Sequence, residues 1–127
     1  MIYKNPIERI YKAGIYSING LYAAIKDEQA FRHELIIFLG VCLICLLFKF
    51  ELSRKIILIC GWLVVMAFEL VNSAVERAFN LIDKKYNPEI KAGKDMLSAA
   101  IFLMISANII LWLFIICEKF FNLFFNS

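Results

Sequence analysis

Three apolar stretches separated by short charged turns constrain this chain more than any other feature of it. The first runs from about Leu35 to Phe48 or Phe50. The second begins at Ile56, stays uncharged to Phe68, and continues with scattered polar residues to about Ile82. The third runs from Met96 or Leu97 to Cys117. A helix crosses a hydrocarbon core of about 30 Å with roughly 20 residues, so each stretch reads as a membrane span. The first is short, which means either that the bilayer thins locally or that its helix starts before Glu34, with Ala30 and Phe31 already in the interface. Spans are therefore predicted at about 30–50, 56–82 and 96–117, joined antiparallel by short linkers. Composition agrees: 62% of the 127 residues are hydrophobic and 20% charged, too apolar for a chain this small to hide from water. An ordinary cytosolic enzyme and a disordered chain are excluded. The expected fold is one all-α integral-membrane domain over 1–127.

The 14 lysines and arginines set an orientation. Lys4, Arg9, Lys12, Lys26 and Arg32 precede the first span, and Arg77, Lys84, Lys85, Lys91 and Lys94 lie between the second and third. Lys49, Arg54, Lys55 and Lys119 remain for the other side. This asymmetry predicts a cytoplasmic N-terminus and second loop, with the C-terminus outside. A net charge of +3 is modest, and the basic residues follow topology, so no nucleic-acid partner is expected. Ahead of the spans, Ile7, Ile10, Tyr11, Gly14, Ile18, Leu21, Tyr22 and Ile25 recur at intervals of three and four. Arg9, Lys12, Tyr16, Asn19 and Lys26 fall opposite them. This predicts an amphipathic helix over about 7–26, lying flat in the cytoplasmic interface. The first thirty-odd residues contain no continuous apolar core, so no signal peptide is expected. Cys42, Cys45, Cys60 and Cys117 all sit in apolar runs and read as small hydrophobes, neither redox nor zinc ligands.

The anomaly is Glu69, a carboxylate that follows thirteen uncharged residues. A lone acid at membrane depth costs on the order of a few kcal/mol, and such residues are functional by default. At 100° per residue, with Glu69 at zero, Asn72 lies at about −60°, Ser73 at about +40° and Glu76 at about −20°, so four polar side chains share one face. Such a stripe faces other helices or a cavity that a polar substrate can enter. Glu69 and Glu76 stand about 10 Å apart along the axis. The deeper Glu69 is placed to take a proton from an alcohol or to act as a buried acid. Glu76, near the aqueous boundary, can bind a hard cation through oxygen. The competing structural reading has Glu69 and Asn72 hydrogen-bonding neighbouring spans to lock an oligomer.

Two further clusters flank this face. Asp27, Glu28, Arg32 and Glu34 mark the junction of surface helix and first span, where Asp27 reads as a solvated cap. Glu28 reads either as the same or as a further carboxylate at the level of Glu76, completing a divalent-metal site. His33 reads as an interfacial polar residue. Lys94 and Asp95, in Lys91-Ala92-Gly93-Lys94-Asp95-Met96-Leu97-Ser98, can serve a phosphate and a hydrogen-bonding partner. Gly-Lys-Asp alone is a weak motif: it has neither the preceding glycine nor the strand of a P-loop, and no soluble-kinase elements accompany it.

Together these pieces resemble a family, the small integral-membrane prokaryotic diacylglycerol kinases. The resemblance is carried by Arg9-Ile10-Tyr11-Lys12-Ala13-Gly14 with Tyr16-Ser17 and Gly20-Leu21, by Ala30-Phe31-Arg32-His33-Glu34, by Glu69-Leu70-Val71-Asn72-Ser73-Ala74-Val75-Glu76, and by Lys94-Asp95-Met96-Leu97-Ser98-Ala99-Ala100. It covers residues 7–117. It implies a homotrimer of three-span subunits in the bacterial inner membrane, with composite active sites at the cytoplasmic face. The implied reaction transfers the γ-phosphoryl of ATP, with Mg2+, to the primary hydroxyl of diacylglycerol, giving phosphatidic acid. By resemblance, Glu69 is the general base, with Asn72 in support, and Glu28 and Glu76 hold the magnesium and its nucleotide. Lys94 and Asp95 contact the nucleotide, and Arg9, Tyr16, Lys85, Tyr86 and Asn87 match nucleotide-side positions. Arg9, Ser17, Ala30, Phe31, Arg32, Glu34, Glu69, Ser98 and Trp112 match positions near the lipid. Departures from the pattern are Gly93, where alanine is frequent, His33, where glutamine is common, and a loop stiffened by Asn87-Pro88. The rivals are an undecaprenol kinase of the same fold and, from another class, a non-enzymatic trimer or a small proton-coupled carrier that uses Glu69 as a relay.

Overall fold

A computed structural model describes residues 5–82 and 86–125 as four helices: α1 Pro6–Asp27, α2 Gln29–Leu47, α3 Leu52–Ile82 and α4 Pro88–Phe125. Local chemistry sets the breaks between them. Asn5 starts α1 by accepting the Glu8 N–H on its side chain at 2.7 Å, with Pro6 next, where a missing N–H costs nothing. A single extended residue, Glu28, separates α1 from α2. Across that break the Arg32 guanidinium donates to the Ile25 and Lys26 carbonyls at 3.1 and 3.0 Å, satisfying backbone acceptors that the end of α1 leaves open. The α1–α2 joint is thereby a built corner.

Three helices are long and apolar enough to cross a membrane: Gln29–Leu47, Leu52–Ile82 and Pro88–Phe121. The helix of the third span begins at Pro88, ahead of the Met96 where its apolar run starts. Asn87 accepts the Glu89 N–H at 2.9 Å, and a Lys91–Asp95 pair at 2.6 Å supports the first turns, so local capping extends the helix into the polar loop.

α3 is central and packs against both α2 and α4, while α1 packs on α2. The core joins Phe31, Val41 and Cys45 of α2 to Leu58, Trp62 and Met66 of α3, with Ile115 of α4 and Ala24 of α1 at its edges. Small and polar residues set the α3–α4 seam. Gly61 admits Asn108, whose amide donates to the Gly61 carbonyl at 3.2 Å and to the Met104 carbonyl at 3.1 Å. Near the loop, Gly93 lies against the Phe79 ring. At the far end Arg54 pairs with Glu118 at 2.8 Å, and the Lys119 ammonium lies over the Phe48 and Phe50 rings. These contacts fix an antiparallel register, with Glu69 between the Gly61 and Phe79 levels.

Large apolar side chains elsewhere stay uncovered, among them Leu39, Leu46, Val64, Phe102, Leu103, Ile110 and Phe114. The chain is a multi-pass membrane protein, and these surfaces are suited to lipid or to further protein. All four cysteines are free.

Candidate active site

The polar face anticipated on the second apolar stretch forms on α3. Glu69 is 5% exposed and Ser73 8%, both buried in a helix otherwise packed with aliphatic side chains. Asn72, one turn from Glu69 on the same helix, has its side-chain carbonyl oxygen buried without a hydrogen-bond partner. Burial of these groups is imposed by helical periodicity, since Val65, Met66, Glu69 and Ser73 recur at helical spacing on the packed side of α3.

Further acids stand near enough to be felt electrostatically. Glu69 lies within electrostatic range of Glu76 on its own helix, of Glu28 at the α1–α2 break and of Glu34 on the first turns of α2. Trp62 holds Glu34 in place by donating its indole N–H to the Glu34 carbonyl at 3.1 Å, while one Glu34 carboxylate oxygen is buried and unpartnered. Like charges sharing a poorly hydrated place repel, and a bound cation relieves that repulsion. Glu28 is engaged already: Arg77 donates to its Oε1 from Nε at 2.8 Å and from Nη2 at 2.6 Å. Among the described residues, no three acids, histidines or cysteines are gathered closely enough to hold a metal by themselves.

The other anticipated residues fall into three places. Lys94 donates to Asn80 at 2.8 Å, which holds its ammonium one turn of α3 beyond Glu76, and Asp95 is paired with Lys91. Ser98 is exposed one turn further along α4. Tyr86 is exposed, Asn87 caps α4, and Lys85 lies outside the described residues. On α1, Arg9 and Tyr16 are exposed, and the Ser17 hydroxyl donates to the Ala13 carbonyl at 2.9 Å. On α2, Ala30 is exposed, Phe31 is almost completely buried, and Arg32 is occupied in capping α1. Trp112 stands apart, lining a cavity of about 410 Å³ at the far end of the bundle with Ile44, Phe48, Phe50, Ile116 and Lys119. Glu28, Glu34 and Glu76 thus lie within electrostatic range of Glu69, with Asn72 one turn along its helix, and Lys94 is tied to Asn80 one turn of α3 beyond Glu76.

Two residues that sequence reasoning passed over are structurally prominent. In the sequence Arg77 reads as one of the basic residues that set topology, although it lies about 80° from Glu69 on the wheel, beside the polar face. Asn108 is 4% exposed within the third span, and a lone amide in an uninterrupted apolar run was the available signal.

A helical multi-span membrane protein whose central helix carries a buried acid beside further carboxylates and a lysine defines the class. Within it, residues 15–116 match the family model of the prokaryotic diacylglycerol kinases, and the chain belongs to that family of membrane kinases. The diacylglycerol kinase of Escherichia coli K12 is 36% identical over 113 residues, 88% of this chain and 92% of that one. The diacylglycerol kinase of Pseudomonas aeruginosa is 34% identical over 108 residues, covering 84% and 86% of the two chains. The diacylglycerol kinase of Haemophilus influenzae is 42% identical over 99 residues, covering 76% and 82%. The multi-pass bacterial membrane placement follows from the same relationship.

Proposed function

We propose that this protein phosphorylates the primary hydroxyl of diacylglycerol with ATP, giving phosphatidic acid at the cytoplasmic face of the bacterial inner membrane. The observation that carries the reading is the buried Glu69 on a membrane helix, with Asn72 and the buried Ser73 on the same face and further carboxylates within electrostatic range. A lipid hydroxyl lies at the interface, so a base that meets it must sit at membrane depth. Phosphoryl transfer asks mostly for positioning and charge neutralisation, which a few side chains can provide.

In the proposed mechanism Glu69 accepts the proton of the lipid hydroxyl as that oxygen attacks the γ-phosphorus, and ADP leaves. Asn72 holds the Glu69 carboxylate in the accepting orientation. Lys94 offers a point charge to the phosphates, and Asp95 hydrogen-bonds the nucleotide. Arg9 and Tyr16 of α1, with Lys85, Tyr86 and Asn87 of the loop, flank the nucleotide. Glu34, with Ser17, Ala30, Phe31, Arg32 and Ser98, lies toward the lipid, and Trp112 sits at the level of its acyl chains. Hard carboxylate oxygens in an acid-rich cluster fit Mg2+, which takes one or two carboxylates and completes its shell with substrate phosphates. Glu28 and Glu76 are the residues that would hold it. When bound, it neutralises charge on the phosphoryl oxygens.

We also assign a homotrimer with composite sites. The uncovered apolar sides of α2, α3 and α4 support packing between copies, and α1, whose Ile7, Ile10, Ile18 and Tyr22 are exposed, is suited to lie in the interface. The test is phosphorylation by the purified protein in mixed micelles, with MgATP and either dioleoylglycerol or undecaprenol. Turnover of dioleoylglycerol is expected. A strong preference for undecaprenol would overturn the substrate assignment, and no ATP turnover with either lipid would overturn the enzymatic reading.

A further inference from the structure

Arg77 follows Glu76 directly and reaches back across the bundle to the α1–α2 break. Its Nε and Nη2 converge on Glu28 Oε1, and Nη2 lies 3.4 Å from Asp27 Oδ2. Glu28 sits on extended backbone, and its side chain makes no capping hydrogen bond to α2. The guanidinium is therefore what orients this carboxylate. Glu28 also lies within electrostatic range of Glu69, where a positive charge offsets mutual repulsion.

A guanidinium and a divalent cation make the same demand on Glu28: both seek the lone pairs of its carboxylate, and both repel each other. With Arg77 side-chain exposure at 51% and Glu28 at 27%, the pair is solvent-accessible and its contact is of the weak, exchangeable kind. We infer that Arg77 is a positioning residue that serves as an internal counter-cation on Glu28, keeping that carboxylate in place and competing for it with the divalent cation. The inference rests on the assignment of Glu28 as a metal ligand. Without metal, Arg77 offsets the charge of Glu28 and Asp27 at the α1–α2 break. A divalent cation held by Glu28 would take the lone pairs that Arg77 engages and free the guanidinium from that carboxylate.

The test is Mn2+ binding to the full-length protein in detergent micelles saturated with a non-hydrolysable ATP analogue, followed by the enhancement of water-proton relaxation that separates protein-bound Mn2+ from the free metal–nucleotide complex. Melting curves check that each variant is folded. Arg77→Met keeps the length of the side chain but removes charge and donors, and should raise Mn2+ affinity about two- to fivefold, the factor carried by an exposed ion pair. Arg77→Lys should stay near the parent value. Glu28→Gln should weaken Mn2+ binding. If Glu28→Gln weakens binding while Arg77→Met leaves it unchanged or lowers it, the counter-cation role is overturned and the metal assignment stands. If Glu28→Gln has no effect, the metal assignment beneath the inference fails instead.

Discussion

Replacing Gly61 with alanine should loosen the α3–α4 seam measurably. A methyl group there would stand 2.6 Å from Asn108 Oδ1 and 3.7 Å from Leu111 Cδ2. Asn108 is held by two hydrogen bonds, to the Gly61 and Met104 carbonyls, and its Oδ1 is buried without a partner. Either the helices separate slightly, losing packing along the seam, or the amide rotates and gives up its bond to Gly61. Hydrogen bonds between membrane helices average about 0.6 kcal/mol and reach about 1.7. Overpacking a filled site costs about 1–3 kcal/mol. The expected destabilisation of Gly61→Ala is therefore about 1–3 kcal/mol, read by reversible unfolding in mixed detergent micelles. Because the clash is with one side chain, Gly61→Ala combined with Asn108→Ala should cost less than the sum of the two single changes. Position 61 lies about 12 Å along the axis from Glu69, so the rate per folded molecule should hold. A Gly61→Ala protein as stable as the parent, or strict additivity in the double variant, would refute the seam described here.

Two other changes probe the ends of the bundle. Gly93→Ala would bring a methyl to 2.9 Å from the end of the Phe79 ring, and should cost about 1 kcal/mol, recovered in the Gly93→Ala, Phe79→Leu pair; thermal melts of the single and paired variants check this. Arg54→Gln removes the partly exposed ion pair with Glu118 at the far end, and should cost no more than about 1 kcal/mol while leaving lipid phosphorylation unchanged, as a paired melting and activity assay would show.

The membrane helices and the polar face were legible in the sequence because both depend on short-range periodicity. Twenty apolar residues announce a span wherever they occur, and Glu69, Asn72, Ser73 and Glu76 share a face by helical geometry alone. What depends on contacts between helices was not legible. Arg32 matched a lipid-side position by resemblance, yet its guanidinium closes the end of α1, a role that exists only once the chain turns at Glu28. Asn87 matches a nucleotide-side position by resemblance, and its side chain also starts α4, which explains why that helix precedes its apolar run. Arg77 was one of ten basic residues in a topology count until the corner at Glu28 brought it a partner 49 positions away. Asn108 and Gly61 needed the α3–α4 register, which no periodicity within either helix contains.

In the proposed mechanism Glu69 removes the proton from the lipid hydroxyl, and Glu69→Gln isolates that step. The variant keeps the shape of the side chain while removing its charge and its ability to take a proton. In a mixed-micelle assay with MgATP and dioleoylglycerol, the rate should fall at least about 100-fold, the usual contribution of general-base catalysis, while nucleotide binding and the oligomer persist. A Glu69→Gln protein that phosphorylates dioleoylglycerol at close to the parent rate would contradict the account.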